Sequence, residues 1–374
     1  MDGEGPDDEL QALREKLGGI DNELFKLIAQ RQKIVTDIGR LKTAAGRATR
    51  HYRQEKEVIE RAKRAGARHD VSASFAEDLM LLLIRESLTA QEQDRVHKGA
   101  RGNGRSVLII GGNGHMGRWL VRFLTSQNFA VEVADPSGTT EEVPHIADWK
   151  QSDLKHDVII VAAPLRVCGG ILEELAARRP KGVVFDISSL KTPLRPGLRA
   201  LVDAGVRATS IHPMFGPDTQ MLSGRHVIFI DLGSPEATKL ARELFASTMV
   251  VQVDMDLESH DRLVAYILGL SHATNIAFFT ALAESGEAAP RLARLSSTTF
   301  DLQLELATRV AADNPNLYYE IQSLNEYGSE AIAALSDAVE RIRSVVRAGD
   351  ADEFVRMMER GREYLSGRGQ ENSE

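Results

Sequence analysis

The run V-L-I-I at Val107 to Ile110, followed at once by G-G-N-G-H-M-G, limits what this chain can fold into more than any other stretch. A short β-branched run ends in a glycine turn that has to enter a helix. Gly112, Gly114 and Gly117 fill the three glycine positions of a dinucleotide-binding turn: one for the tight bend, one for close backbone approach to a pyrophosphate, one for packing of helix on strand. The helix beginning near Met116, just after His115, offers free N–H groups and a positive dipole end to phosphate. Asp135 stands eighteen residues after Gly117, closing the run V-E-V-A-D. A carboxylate there can accept from ribose hydroxyls and repels a 2′-phosphate, which favours NAD over NADP. The further runs D-V-I-I-V-A-A-P and G-V-V-F-D-I alternate with helical stretches, so residues 106–255 are expected to form a Rossmann-type α/β domain with a covered parallel sheet.

Both flanks have helical periodicity. Leu10, Leu13, Leu17, Ile20, Leu24, Leu27, Ile34, Ile38 and Leu41 recur mostly at three and four, predicting one long amphipathic helix from about Asp8 to Lys42. Gly18-Gly19 is its weak spot, costing about 1 kcal/mol per glycine relative to alanine. Further helices are expected from about Arg53 to Arg64 and from Ser74 to Gln93, with Thr43 to Ala48 as a loop. The first helix is too long to bury its stripe alone, so a homodimer is expected. Residues 1–95 are therefore read as all-α. The glycine-rich, basic segment 96–105, part of the stretch from Arg95 to Arg105, is read as a solvated linker, and 256–374 as an all-α domain whose apolar run Leu263 to Leu282 suits a core or interface.

The chain's net charge of −8 over 374 residues argues against a nucleic-acid partner. Cys168, the single cysteine, allows no intrachain disulfide and fits a reducing compartment. No Cys/His cluster has metal-ligand spacing. The acidic start is unlike a signal peptide, and no run is read as approaching the ~18 apolar residues of a membrane span. The expected location is cytoplasmic, with no membrane contact.

In I-H-P-M-F-G-P-D, Ile211 to Asp218, His212 is caged by Pro213 and Pro217. The prolines fix their own φ angles and restrict their neighbours, which predicts a rigid, non-helical loop. An imidazole, with an ordinary pKa near ~6.5, is the natural group for moving a proton at neutral pH. Beside a hydride acceptor it gives the pair that alcohol oxidation needs. D-I-S-S-L-K, Asp186 to Lys191, falls at the carboxyl end of an expected strand, where open α/β sheets place ligands; read alone, it could equally be a helix cap and polar loop.

From Val107 to the C-terminus these motifs resemble the prephenate dehydrogenase family, with further matches in S-H-D at Ser259 to Asp261, in His272 and in Arg309. The resemblance implies oxidative decarboxylation of prephenate, with His212 as general base, Ser189 orienting the same hydroxyl, Arg309 holding a substrate carboxylate and His272 in the substrate pocket. On residue type alone, Arg309 reads as a solvated helix residue and His272 as a core histidine. Asp301 departs from the family, which carries arginine there.

Leu10 to Gln93 resembles the all-helical chorismate mutases, and the fusion order resembles the bifunctional T-protein family of tyrosine biosynthesis. The matching residues are Arg14, Arg31, Lys42, Glu55, Ser87 and Gln91. Arg31 and Lys42 are eleven residues apart, so they project from one face within about 20°, whereas Arg14 lies about 100° away round the helix. That fits the family arrangement in which this arginine enters the partner chain's site. The mutase reaction is pericyclic and needs only a site that compacts the dianion and stabilises charge on the ether oxygen. The family places arginine immediately before the glutamate matching Glu55; here Gln54 stands there, with Arg53 one position early, and His51 replaces a position often acidic or apolar. Two alternatives stay open: a 4-amino-4-deoxyprephenate dehydrogenase with a matching mutase, and a dehydrogenase whose front domain only dimerises or senses. A general β-hydroxyacid dehydrogenase fits less well, because it would lack the caged histidine.

Overall fold

The computed structural model describes residues 6–45, 52–138 and 143–367; His51 lies outside them. The front of the chain is three helices, α1 (Pro6–Ala44), α2 (Tyr52–Ala67) and α3 (Ala73–Lys98). The α1 helix runs unbroken through Gly18-Gly19, and a Cβ at either position would meet nothing within 4 Å, so no close approach demands glycine there. Within the single chain α1 packs mainly on α3, and its stripe from Leu10 through Leu24 to Leu41 remains exposed. Burying each such leucine is worth about 1.5–3 kcal/mol, so a second surface is needed to cover them.

Helix α3 continues past Gln93, and the joint behind it is docked rather than solvated. Val96 is buried, and the Gly102 N–H donates to the Gln127 carbonyl at 2.9 Å. A Cβ on Gly102 would lie 2.4 Å from Asn128 backbone. The segment expected as a solvated linker at 96–105 is three helical residues followed by turns, packed at Val96 and Gly102 and exposed at His97, Lys98, Arg101 and Asn103. Gly102 serves close approach, whereas Gly104 takes a positive φ of 75° in open space.

The middle of the chain is an eight-stranded sheet in the order β3-β2-β1-β4-β5-β6-β7-β8. Its strands are β1 (Ser106–Ile110), β2 (Ala130–Ala134), β3 (His145–Ile146), β4 (Val158–Val161), β5 (Val183–Asp186), β6 (Ala208–Pro213), β7 (His226–Asp231) and β8 (Val251–Asp254). The helices α4 (His115–Ser126), α5 (Leu165–Arg178), α6 (Arg195–Asp203) and α7 (Pro235–Glu243) cover it. The first six strands are parallel, as the β-branched runs imply; β7 is antiparallel to β6 and carries β8 parallel beside it. The two buried apolar layers lie one on each face, around Trp119, Phe185 and Phe229 and around Leu172, Leu194 and Leu198. Strand order reverses between β1 and β4, so the crevice for a ligand opens at their carboxyl ends.

After β8 the chain is helical: α8 (Leu257–Val264), a π-helical turn (Ala265–Leu270), α9 (Ser271–Glu284), α10 (Ala289–Arg294), α11 (Thr298–Ala312), α12 (Pro315–Leu324), α13 (Gly328–Ala348) and α14 (Ala351–Ser366). Within the π turn the Gly269 carbonyl accepts from Gln322 Nε2 at 2.8 Å. Among the described residues one stretch, Leu257–Glu284, has the length and apolar composition of a membrane span. This corrects the expectation that no run comes near one. Its start is held inside the protein, with His260 and Asp261 fully buried, and later turns touch α11 and α13 on one side. Tyr266 and Ile267 stay exposed, as do Leu302 and Leu306 on α11, so the run serves an outward face more than a core.

Candidate active sites

His212 is not on a loop. It is the fifth residue of β6, paired with Ile228, and Pro213 closes the strand opposite Val227. The strand places the imidazole at the carboxyl edge shared with β1, β4 and β5, where it is 3% exposed. Its Nδ1 lies 2.9 Å from His260 Nε2, and His260 Nδ1 lies 2.6 Å from Asp261 Oδ1. His260 and Asp261 come from α8, which Asp256 starts by accepting the N–H groups of Glu258 and Ser259. Asp261 is in turn held by the Lys191 N–H at 2.9 Å, by the Thr192 hydroxyl at 2.5 Å and by the Thr192 N–H.

The proton positions in this relay follow from charge. Burial alone would raise the Asp261 carboxyl, but the bonds from His260 and Thr192 hold it below the usual carboxylate range. As a carboxylate it only accepts, so His260 Nδ1 carries a proton. Burial keeps His260 below its ordinary value and neutral, against the pull of Asp261. Its Nε2 is then a lone pair, and His212 Nδ1 donates to it. Nε2 of His212 is left as an acceptor. Burial, then His260, then Lys191 push His212 well below 6.5. The relay thus fixes the tautomer and the unprotonated state of an imidazole, which is what a general base requires.

Beneath it Lys191, fully buried, donates to Asp186 Oδ1 at 2.6 Å and to the carbonyls of Ser188 and Ile211, both at 2.8 Å. Ser210 holds the other Asp186 oxygen at 2.6 Å. D-I-S-S-L-K is therefore a buried ion pair that ties β5 to β6. Ser189, half-buried, lies on the turn between the two ends of that pair.

The glycine turn is built as a cradle, with one reassignment. Gly111, not Gly112, takes the positive φ, at 88°, while Gly112 and Gly117 serve close approach. A Cβ on Gly117 would lie 2.2 Å from the Gly111 carbonyl oxygen. The α4 helix starts at His115, which is exposed like Gly114, with Met116 half-buried behind it. Asp135 is at the end of β2, and its carboxylate accepts from the Asn113 N–H at 3.0 Å and from Ser137 N–H and hydroxyl at 2.9 and 2.6 Å. It staples the turn to the second strand, and Oδ2, with only the Asn113 bond, keeps a further lone pair. Asn113 Oδ1 is buried without a partner among the described residues, a polar atom that a bound dinucleotide can satisfy. These residues fit NAD.

His272, on α9, is half-buried against the Tyr318 ring with centroids 4.2 Å apart, and its Nδ1 is buried without a hydrogen-bond partner. That orphaned nitrogen fits a pocket residue better than a satisfied core histidine. Arg309 is not brought to the relay: its side chain is 75% exposed on α11 and pairs with Glu305 at 2.6 Å. Asp301 starts the same helix, where an acid complements the dipole.

In the front domain α1 and α3 bring three expected residues together. Arg31 donates to the Ser87 hydroxyl at 2.7 Å and to the Leu83 carbonyl at 3.1 Å, and Gln91 Nε2 donates to the Val35 carbonyl at 3.2 Å. Gln91 Oε1 is buried without a partner among the described residues, close over Gly39. Arg31 also lines a cavity of about 520 Å³ between α2 and α3. Lys42 and Glu55 are half-buried at the end of α1 and the start of α2, and Arg14 is exposed on α1. Arg53 does not substitute for the missing arginine; it faces solvent and pairs with Glu57 at 3.3 Å.

Sequence reasoning matched the S-H-D motif but gave it no role; the His260–Asp261 relay appears only when α8 folds back on β6. Comparison with known proteins agrees with this layout. Residues 13–92 match the family chorismate mutase type II, 132–253 the nucleotide-binding domain of prephenate dehydrogenase, and 256–360 the dimerization domain of prephenate dehydrogenase. The T-protein of Enterobacter agglomerans is 26% identical over 360 residues, covering 96% of this chain and 93% of that protein. A 4-amino-4-deoxyprephenate dehydrogenase of Streptomyces pristinaespiralis is 28% identical over 279 residues, 72% of this chain and 93% of its own. In fold, the chain is similar to prephenate dehydrogenase from A. aeolicus solved with hydroxyphenyl propionate and NAD+, with a TM-score of 0.53 and 19% identity over 70% of this chain and 98% of that one.

Proposed function

We infer, from a chain whose front segment belongs to the type II chorismate mutases and whose remainder belongs to the prephenate dehydrogenases, a bifunctional enzyme of tyrosine biosynthesis. It rearranges chorismate to prephenate and oxidatively decarboxylates prephenate to 4-hydroxyphenylpyruvate. The observation that carries the second activity is the His212–His260–Asp261 relay at the ligand edge of the sheet.

Bound at the glycine turn, NAD supplies the acceptor for the hydride that leaves C4 of prephenate. Gly112, Gly114 and Gly117 would let the pyrophosphate approach the α4 N-terminus, with His115 and Met116 beside it, and Asp135 would accept from the ribose hydroxyls. His212 Nε2 takes the proton of the C4 hydroxyl, and the charge it gains is shared through His260 with Asp261. Ser189 orients that hydroxyl. The ring carboxylate leaves as CO2 and its bonding electrons complete the aromatic ring, so the base has only one proton to accept. His272 Nδ1, without a hydrogen-bond partner among the described residues, would donate to or accept from the substrate. The assigned carboxylate ligand, Arg309, has to give up its helix-surface pairing with Glu305 to serve.

In the mutase, Arg31, Lys42 and Ser87 hold the dianion, Gln91 reaches the ether oxygen, Glu55 completes the site, and Arg14 comes from the partner's α1. The exposed α1 stripe and the exposed face of 263–306 fit a soluble, cytoplasmic homodimer. The test is a substrate panel on the purified full chain. NADH formation is followed with prephenate and with its 4-amino analogue, and loss of chorismate absorbance is followed without NAD. Oxidation of the amino analogue in preference to prephenate would replace the substrate; unchanged chorismate would reduce the front domain to a dimerisation or sensing module.

A further inference from the structure

The α3 helix has two working faces. Ser87 and Gln91, four residues apart, point to α1 and the mutase residues. Glu92 and Val96, also four apart and about 100° round the helix, point the other way, into the dehydrogenase. Glu92 is 3% exposed. Its Oε2 accepts the Leu222 N–H and its Oε1 accepts the Met249 N–H, both at 2.6 Å. One carboxylate from the mutase domain therefore fastens the loop that follows I-H-P-M-F-G-P-D and the loop that leads into β8.

The first of these loops is anchored by Leu222, buried in the apolar layer around Trp119, and borders open space. A cavity of about 630 Å³ opens between α3, α4 and residues 217–222, lined by Glu92, Val96, Trp119, Phe123, Pro217 and Leu222. Across that space the loop is tied to the cofactor helix: Trp119 Nε1 donates to the Thr219 carbonyl at 3.0 Å. Phe215 meets the Trp119 ring edge-on, with centroids 5.0 Å apart. Trp119 stands one turn into α4, whose first turn forms the glycine cradle. Mutase helix, loop and cofactor helix thus form one continuous set of contacts.

Burial pushes the Glu92 carboxyl upward against the backbone bonds from Met249, Leu222 and Ser223. A folded value above the unfolded one means that ionised Glu92 costs the fold free energy at neutral pH. What the charge supplies is two acceptors at once, which no neutral side chain of that shape offers.

We propose that Glu92 is a positioning residue for the dehydrogenase: through the 217–222 loop and Trp119 it sets α4 for NAD, so the mutase helix holds the cofactor site in register. This rests on the dehydrogenase reading above and adds the residue that makes the two domains interdependent.

The test is Glu92→Gln in the full chain, with Val96→Ala as the packing control. Glutamine keeps the shape but turns an amide donor towards one of the two N–H groups. The KM for NAD should rise by about tenfold, the size of one lost hydrogen bond to a charged group, while dehydrogenase kcat at saturating NAD is kept because the relay is untouched. Mutase kcat/KM should fall in parallel, since Gln91 shares the turn. Val96→Ala should lower the melting temperature and leave the KM for NAD unchanged. Glu92→Asp, one methylene short of spanning both N–H groups, should move the KM in the same direction and serves if the glutamine variant does not fold. An unchanged KM for NAD, an equal rise in Val96→Ala, or a proportional fall of both turnovers at constant KM overturns the proposal. A wild-type chain that oxidises neither prephenate nor its amino analogue instead overturns the dehydrogenase reading itself.

Discussion

Asp261→Asn should reverse the relay while leaving its shape intact. Asparagine can keep its carbonyl towards the Thr192 N–H and hydroxyl, which places its amide NH2 against His260 Nδ1. His260 must then carry its proton on Nε2 and donate to His212 Nδ1, and His212 is left with a proton on Nε2, where the substrate hydroxyl needs a lone pair. Returning to the productive tautomer opposes two N–H groups and loses a hydrogen bond to a charged group, about 1.5–3 kcal/mol. Loss of the negative charge behind the imidazolium adds about 2 kcal/mol, taking a separation of ~8 Å and an effective dielectric of ~20. The sum, about 3.5–5 kcal/mol at roughly 1.4 kcal/mol per decade, corresponds to a fall of about 300- to 4000-fold in dehydrogenase turnover. The same reversal in a serine-protease triad costs about 10⁴-fold. The assay is NADH formation from prephenate at saturating cofactor, with the KM for NAD and mutase turnover as internal controls that should not move. Turnover within about tenfold of wild type in a folded variant would refute the tautomer argument, because loss of a general base costs at least about a hundredfold.

Three further outcomes follow from the same geometry. Lys191→Met should destabilise the chain by about 3–5 kcal/mol in denaturant unfolding, because it strands the buried Asp186 carboxylate; a loss under about 1 kcal/mol would mean that water or Ser210 compensates. Because His212 sits well below 6.5 in the fold, the unfolded chain binds a proton that the folded chain does not, so stability is lost as pH falls through and below that value. The acid limb of dehydrogenase kcat/KM should accordingly lie below pH 6.5, and a limb at or above it would remove His212 as the neutral base. Gln54→Arg should raise mutase kcat/KM by about tenfold, as one more fixed guanidinium for a dianion implies. No gain, measured by chorismate disappearance, would mean that the start of α2 no longer faces the substrate.

The strands that form the cofactor edge were legible because each is a short β-branched run bounded by a turn, and β1, β2, β4 and β5 fall where those runs lie. His212 was legible as a functional residue but not as a strand residue. Pro213 reads as a breaker, yet it is the last residue of β6, past the end of the pairing with β5 at Ser210, where a missing N–H interrupts no ladder bond. The relay was not legible, because His260 lies forty-eight positions away and reaches β6 only through tertiary folding. Glu92 was missed for a related reason. A charged residue near a helix end reads as solvated, and its burial depends on two loops that lie 130 and 157 positions away in sequence. Arg309 shows the reverse: a family role does not place a side chain that this chain leaves on a helix surface.

The wide turn at Ala265–Leu270 separates His260 and Asp261, which serve the base, from His272, which faces Tyr318. Such a bulge behaves as one residue inserted into an ordinary helix, and here Gln322 satisfies a carbonyl that the bulge frees. Excising a single residue there would regularise the spiral and improve its hydrogen bonding. It would also swing everything downstream by about 100° relative to the relay. Such a deletion would give a better-formed helix in which His272 no longer lies against Tyr318 while His260 stays on His212, so local irregularity sets the angle between these two contacts.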